Sequence, residues 1–285
     1  MKINTQSPKK HKYLQITETI AKPPKKLHFI GTLPANRVET VAIVGTRKPT
    51  AYGKEVAHQL AYDLAKHDIV IISGLALGID SIAHRAALEA KGTTLAVLAN
   101  GVDKPYPASH TNLAREILAS GGALISEYEA GTPPLPHQFL ARNRIVSALA
   151  DAVIVVEAAQ RSGTLSTVNH ALEQGKDVFA VPGNITSPLS AGCNALIKQG
   201  AQPITSADDV LQILKPQIET SAQTQLFGDT PAEQTILDLL QQGIRDGDEL
   251  LAKSTLEASE FNQSLSMLEI KGMIRALGAN QWSAK

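Results

Sequence analysis

Six short runs of β-branched and small apolar residues, at 41–44, 69–72, 94–98, 123–126, 152–156 and 178–181, recur along this chain with helical patterns between them. Those patterns lie at about 51–66, 78–90, 109–119, 139–149 and 163–174. Runs this apolar suit strands buried on both faces, and their alternation with helices predicts a doubly wound, mainly parallel α/β sheet. Right-handed crossovers then cover both faces and gather the carboxyl ends of the strands into one functional edge. A further short strand at 27–31 leads into this sheet.

The chemically suggestive residues fall on that edge. Gly45, Thr46 and Arg47 follow the first run, just before a helix from about Ala51. A sharp turn into a helix leaves unpaired amides at the positive end of a dipole, so a phosphate fits there with Thr46 as hydroxyl donor and Arg47 as a charged fork. The plainer reading is a tight turn and a surface charge.

After the second run come Gly74, Ala76, Gly78 and Asp80, a small-residue loop with an acid in the first helical turn. Its spacing is wrong for a dinucleotide fingerprint, which argues against NAD. Asp80 and His84, four apart, are expected to form a structural pair on one helix face rather than a catalytic dyad. The third run is followed by Asn100, Gly101 and the turn at Tyr106-Pro107. Glu127 and Glu129 follow the fourth and read as solvated or structural.

The stretch 137–146 offers Phe139, Arg142 and Arg144 near a helix start. Planar guanidinium forks suit phosphates and an aromatic face suits bases. Alternatively, Phe139 is core and the arginines bridge acids such as Asp151. The fifth run leads through Glu157 to Arg161, Ser162, Gly163 and Thr164, a second anion cradle. No nucleophile-elbow or Walker sequence is present, the histidines lack metal-ligand spacing, and Cys193 reads as a buried small hydrophobe. No cofactor, metal or catalytic residue is expected.

Charge is balanced overall, 27 basic against 27 acidic residues in 285, so no global field announces a nucleic acid. Its distribution is uneven. Residues 1–30 hold seven lysines against Glu18, and 1–22 reads as a flexible basic arm, a solvated tail in preference to a DNA-gripping one. Residues 216–285 hold ten acids against five bases. One cysteine, no leader and no apolar stretch long enough for a membrane span suggest a cytoplasmic protein.

A main domain over 23–215, a Thr/Gln/Ser-rich linker over 216–228 and a small domain over 229–285 complete the expected organisation. In the last, helical patterns at 231–242, 248–253 and 255–271 precede a terminal hairpin, which describes a winged helix. Glu257, Glu260 and Glu269 on its recognition helix, against Lys271 alone, predict a protein-contact or regulatory role rather than duplex readout.

Taken together, the series 41–47, 74–80 with Ala83-His84, Tyr106-Pro107, 126–128, 142–145, 155–158 with 162–164, 181–183 and 192–194 resembles the signature motifs of the DNA-processing protein A (DprA, Smf) family over about residues 23–214. The resemblance implies a Rossmann-like domain that binds and protects single-stranded DNA, dimerises and loads RecA recombinase in natural transformation, without catalysis. Carried over motif by motif, it implies that Gly45, Thr46 and Arg47 hold a phosphate and that Gly74 and Ala76 allow close backbone approach. It further implies that Phe139 stacks a base, that Arg142 pairs with phosphate, and that Ser162, Gly163 and Thr164 form the second cradle.

The chain departs from the family where Thr46 replaces the usual serine and Leu140 the usual proline. With so little sequence before residue 23, the family's N-terminal helical domain is not expected in this chain. Two other classes share the pattern. A phosphoribohydrolase of the lysine-decarboxylase-like group needs a Pro-Gly-Gly-x-Gly-Thr run that is missing after Val181. A small-nucleotide sensor would use the same cradles.

Overall fold

The computed structural model describes residues 2–215, 228–278 and 280–284. The linker expected at 216–228 lies, apart from its last residue, outside them, as does Ala279 of the terminal turn. The chain divides into two compact units, Met1–Ile218 and Glu219–Lys285.

In the first unit the strands are β1 (Asn4–Gln6), β2 (Leu27–Gly31) and β3 (Thr40–Val44), then β4 (Val70–Ser73), β5 (Thr94–Leu98) and β6 (Ala123–Ser126). After them come β7 (Ala152–Val155), β8 (Asp177–Ala180) and β9 (Gln202–Pro203). Helices α1 (Ala51–Lys66), α2 (Ile79–Glu89), α3 (Thr111–Ala119) and α4 (Pro136–Leu149) connect them, with α5 (Thr164–Glu173), α6 (Ala191–Lys198) and α7 (Ala207–Leu214) further on. Among the described residues the sheet order is β1-β2-β6-β5-β4-β3-β7-β8-β9. Pairing is parallel from β6 through to β9, while β1 and β2 run antiparallel at one edge.

Alternation along β3 explains the two-sided core. Val41 and Ile43 pack with Leu60, Leu64 and Ile79 on the α1/α2 side, whereas Ala42 and Val44 pack with Ile145 and Leu149 of α4. β3 sits mid-sheet, its two neighbours in register on either side (Val41 with Ile71 and with Ala152), so its tip is surrounded by other tips. Helix α4 begins three residues earlier than the pattern suggests. Pro136 occupies its first turn, where a missing N–H costs nothing, and this sets Phe139 within a regular helix.

The lysine-rich segment expected to be a flexible arm over 1–22 is instead part of this unit. β1 pairs with β2 (Gln6 with Leu27), Tyr13 and Leu14 are fully buried, and Ile20 is nearly so. The Tyr13 hydroxyl shares a 3.1 Å hydrogen bond with Thr40 Oγ1, and burial pushes its phenol up to about 12. Lysines at exposed positions mask this docking, because the apolar residues between them are too sparse to show a period.

The second unit holds α8 (Pro231–Gln241), α9 (Gly247–Ser254), α10 (Ala258–Ile270) and the hairpin β10 (Ile274–Gly278) and β11 (Gln281–Ala284) around Ile236, Leu237, Leu250, Phe261, Leu265 and Leu268. Thr230 and Asp246 cap the first two helices through their side-chain oxygens. α10 starts at Ala258 and not at 255, because Thr255 closes α9 in the left-handed conformation. No helix among the described residues is long and apolar enough to cross a membrane.

Candidate functional site

A cleft of about 600 Å³ opens where β3, β4 and β7 end. Its wall includes Gly45, Thr46, Arg47, Gly74, Ala76, Phe139, Arg142, Ser162, Gly163 and Thr164, so the ten residues singled out from four separate stretches of sequence share one surface. They do not all face it in the same way.

The β3–α1 turn is fixed from below. Thr46 donates its amide to Glu157 O at 2.7 Å and accepts from the Ile79 amide at 3.2 Å. Gly45 is glycine because a Cβ there would press on Ile79 Cγ1 at 2.6 Å, an internal packing demand of α2. The start of α1 is not vacant for a ligand as the sequence suggested. The Glu157 carboxylate, 2% exposed, accepts from the Thr50 amide at 2.9 Å and the Thr50 hydroxyl at 2.5 Å, and a Cβ on Gly53 would overlap it. The protein supplies the anion at that helix end itself.

The β4–α2 loop follows the same plan. Asp80 Oδ2 accepts from the amides of Gly74 at 3.0 Å and Ala76 at 3.4 Å. The bare Cα of Gly74 admits the Arg142 guanidinium, which a side chain would displace. The expected close approach of ligand backbone at Gly74 is therefore an approach of Arg142.

Arg142 itself is 6% exposed, against the expectation of a free phosphate fork. Its Nη1 donates to Gly74 O at 2.7 Å and to Val97 O, and its Nε to Asn143 Oδ1 at 3.2 Å. Burial lowers the Arg142 pKa and raises that of Asp80, while each charge opposes the shift in the other. The pair forms the cleft's floor.

Arg144 is also committed. It grips Glu127 through Nη2 at 2.6 and 2.8 Å, and not Asp151, which pairs with Arg37 at 2.6 Å. The Asp80–His84 pair expected from spacing does not form. His84 Nδ1 bonds Thr94 Oγ1 at 2.7 Å, and its Nε2 is buried without a partner. Cys193 is buried, and burial pushes its thiol up to about 11.

What remains presented to solvent is an aromatic and basic wall. Phe139 is half-buried, Tyr106 meets it edge-on with ring centroids 5.7 Å apart, and the Arg47 guanidinium lies 5.7 Å above its centroid. Opposite stands the 162–164 loop, where Ser162 Oγ accepts from the Thr164 amide at 3.2 Å. Thr164 Oγ1 donates to Gly45 O at 3.1 Å, tying the two cradles together. Gly163 has open space where a Cβ would point.

Lys48, to which the sequence assigned no role, and Arg161, named with the second cradle but given no contact of its own, are exposed on the same wall. Each adjoins a predicted cradle residue, a signal that adjacency offers but spacing rules do not. Four cations line the cleft against one carboxylate, Asp80.

The chain matches the family model of the DNA recombination-mediator protein A over residues 4–215 and that of the DprA winged helix domain over 220–280. It is 42% identical over 198 residues to the DNA processing protein DprA of Bacillus subtilis, covering 69% of this chain and 66% of that one. It is 45% identical over 192 residues to protein Smf of Escherichia coli, covering 67% and 51%. The chain thus spans about half to two thirds of the length of these relatives.

Among solved structures, DNA processing protein A from Streptococcus pneumoniae superposes with a TM-score of 0.70 at 40% identity, over 75% of each chain. That from Helicobacter pylori, described for its unique single-stranded DNA binding mode, superposes with a TM-score of 0.66 at 36% identity, over 75% of this chain and 96% of that one.

Proposed function

This chain belongs to the DNA recombination-mediator protein A family, and on that premise we propose that it binds single-stranded DNA along the cleft at the strand tips. The observation that carries the reading is the composition of the exposed wall. Arg47 lies over the Phe139 ring that Tyr106 meets edge-on, and Lys48 and Arg161 line the same cleft, while the floor beneath is locked by internal hydrogen bonds. A polyanion with stackable bases is the ligand that wants guanidinium groups and aromatic faces in one groove.

In this reading Arg47 pairs with a phosphate and Phe139 stacks a base. Thr46 offers its hydroxyl and the 162–164 loop its Ser162 and Gly163 amides, since the Thr164 amide and both loop hydroxyls are engaged within the protein. Gly74 and Ala76 shape the floor, and Arg142 contributes positive potential without a direct grip, since its donors are turned to Gly74 O and Val97 O. No catalytic step is assigned to the chain. Protection of incoming DNA, handover to RecA recombinase, homodimerisation and a cytoplasmic setting are proposed with it, on the strength of the family alone.

Oligothymidine binding followed by fluorescence anisotropy at two salt concentrations tests the reading. Affinity should rise with oligonucleotide length and fall steeply with salt, and Arg47→Ala should cost roughly 1–3 kcal/mol. Saturable binding of a mononucleotide with little dependence on salt or length would instead favour the nucleotide-sensor class, for which a cleft of this size also has room.

A further inference from the structure

The docked N-terminal segment forms a second basic corner on the functional edge. Seven lysines lie between Lys2 and Lys26, and all are exposed. Among the described residues their single ion pair is Lys9–Glu18 at 3.9 Å, in which the Lys9 side chain stays 76% exposed.

The strand register places four of them, Lys9, Lys10, Lys25 and Lys26, whereas Lys12, bonded to Asn36 ahead of β3, lies at the other end. His28 pairs with Ser126, the last residue of β6, so Lys25 and Lys26 lie beyond the carboxyl end of that strand. Gln6 pairs with Leu27, which sends the turn carrying Lys9 and Lys10 to the same end. This is the end at which β3, β4 and β7 deliver the cleft. A groove of about 420 Å³ opens there, lined by Pro23, Lys25, Lys26, His28, Glu127 and Glu129. Of its two acids, Glu127 is already neutralised by Arg144.

We propose that this lysine corner is a second phosphate-contacting site on the track of the same single strand. The proposal rests on the single-stranded DNA reading above and extends it. From β3 to β2 the sheet counts four interstrand steps, about 19 Å, a distance that a handful of nucleotides spans. The Phe139–Tyr106 ring pair and exposed Lys104 of the β5–α3 loop stand on the same edge. A strand leaving the cleft over these rings meets Lys25 and Lys26, whose unpaired ammonium groups release counterions on contact. Glu129, exposed in the groove, opposes it.

The test compares oligothymidines of about 3 nucleotides, too short to reach from the cleft to β2, and of about 20 nucleotides on the full chain. Lys25→Ala/Lys26→Ala should leave the short oligonucleotide unaffected and weaken the long one about tenfold, with the salt slope falling by about 1.4 for two lost contacts. Glu129→Gln should tighten the long one only, and Lys25→Arg/Lys26→Arg should behave as wild type, with thermal midpoints unchanged throughout. Long-oligonucleotide affinity unchanged in the alanine variant, or an equal loss at both lengths, would overturn the lysine track while Arg47→Ala still weakens both. If the wild type shows no salt-dependent binding at either length, the DNA reading itself fails and this extension goes with it.

Discussion

Glu157 sets a full negative charge against the first turn of α1, where Thr50 offers it an amide and a hydroxyl. Hydrogen bonds to a charged group are worth about 1.5–3 kcal/mol each. The helix end gains further from an anion there, so the turn bearing Arg47 is held before any ligand arrives. Asp80 plays the matching part under α2, receiving the amides of Gly74 and Ala76 with Arg142 alongside.

His84, close to both His110 and Arg142, is held neutral for a different reason. Burial first, then electrostatic interaction with His110 and Arg142, bring its pKa from 6.5 down to about 3. Between those values the unfolded chain binds a proton that the fold refuses, so stability rises with pH through this window and is lost as pH falls, by ~1.4 kcal/mol per unit. Urea unfolding at about pH 6.5 and about pH 5 should therefore show a drop of roughly 1–2 kcal/mol that His84→Gln removes. Equal slopes in the two proteins would mean that His84 takes up its proton in the fold.

At the scale of elements, the N-terminal segment changes what the sheet edge is. β1 and β2 turn the parallel sheet antiparallel at one side, and the chain between them plugs that side with Tyr13, Leu14 and Ile20. Leu14→Ala should then destabilise the protein by about 2–5 kcal/mol, the range for deleting a buried leucine side chain, as read by chemical denaturation. A substitution within a solvated tail would register nothing. The six central strands need no such test of membership, since each is buried along almost its whole length and could not exist outside a sheet.

For the whole molecule, charge separates by unit. Residues 216–285 carry ten acids and five bases, and Lys271, beside the end of α10, is engaged by Asp229 at 2.7 Å and Glu233 at 2.8 Å. A recognition helix with Glu257 before it and Glu260 and Glu269 on it meets a duplex with repulsion. The 228–285 fragment, which has its own core, should show no measurable duplex affinity in a gel-shift assay at about 0.15 M salt. A stable shifted complex would overturn the protein-contact role expected of this unit. Single-stranded DNA affinity should reside in the first unit, where the aromatic and basic wall lies.

The order of strands and helices was legible in the sequence because burial on two faces leaves continuous apolar runs, and crossover handedness then forces the loops onto one edge. The loops on that edge supply the stretches that line the cleft. Which donors in those stretches face outward was not legible. Gly45, Gly74, Arg142 and the start of α1 all read as ligand contacts, yet Ile79, Asp80 and Glu157 reach them first. Local spacing describes the chemistry a residue can offer, but buried donors take whichever acceptor the packing brings nearest. Only the tertiary structure decides that, because Glu157 lies 107 positions from Thr50 in sequence and within hydrogen-bond reach of it in space.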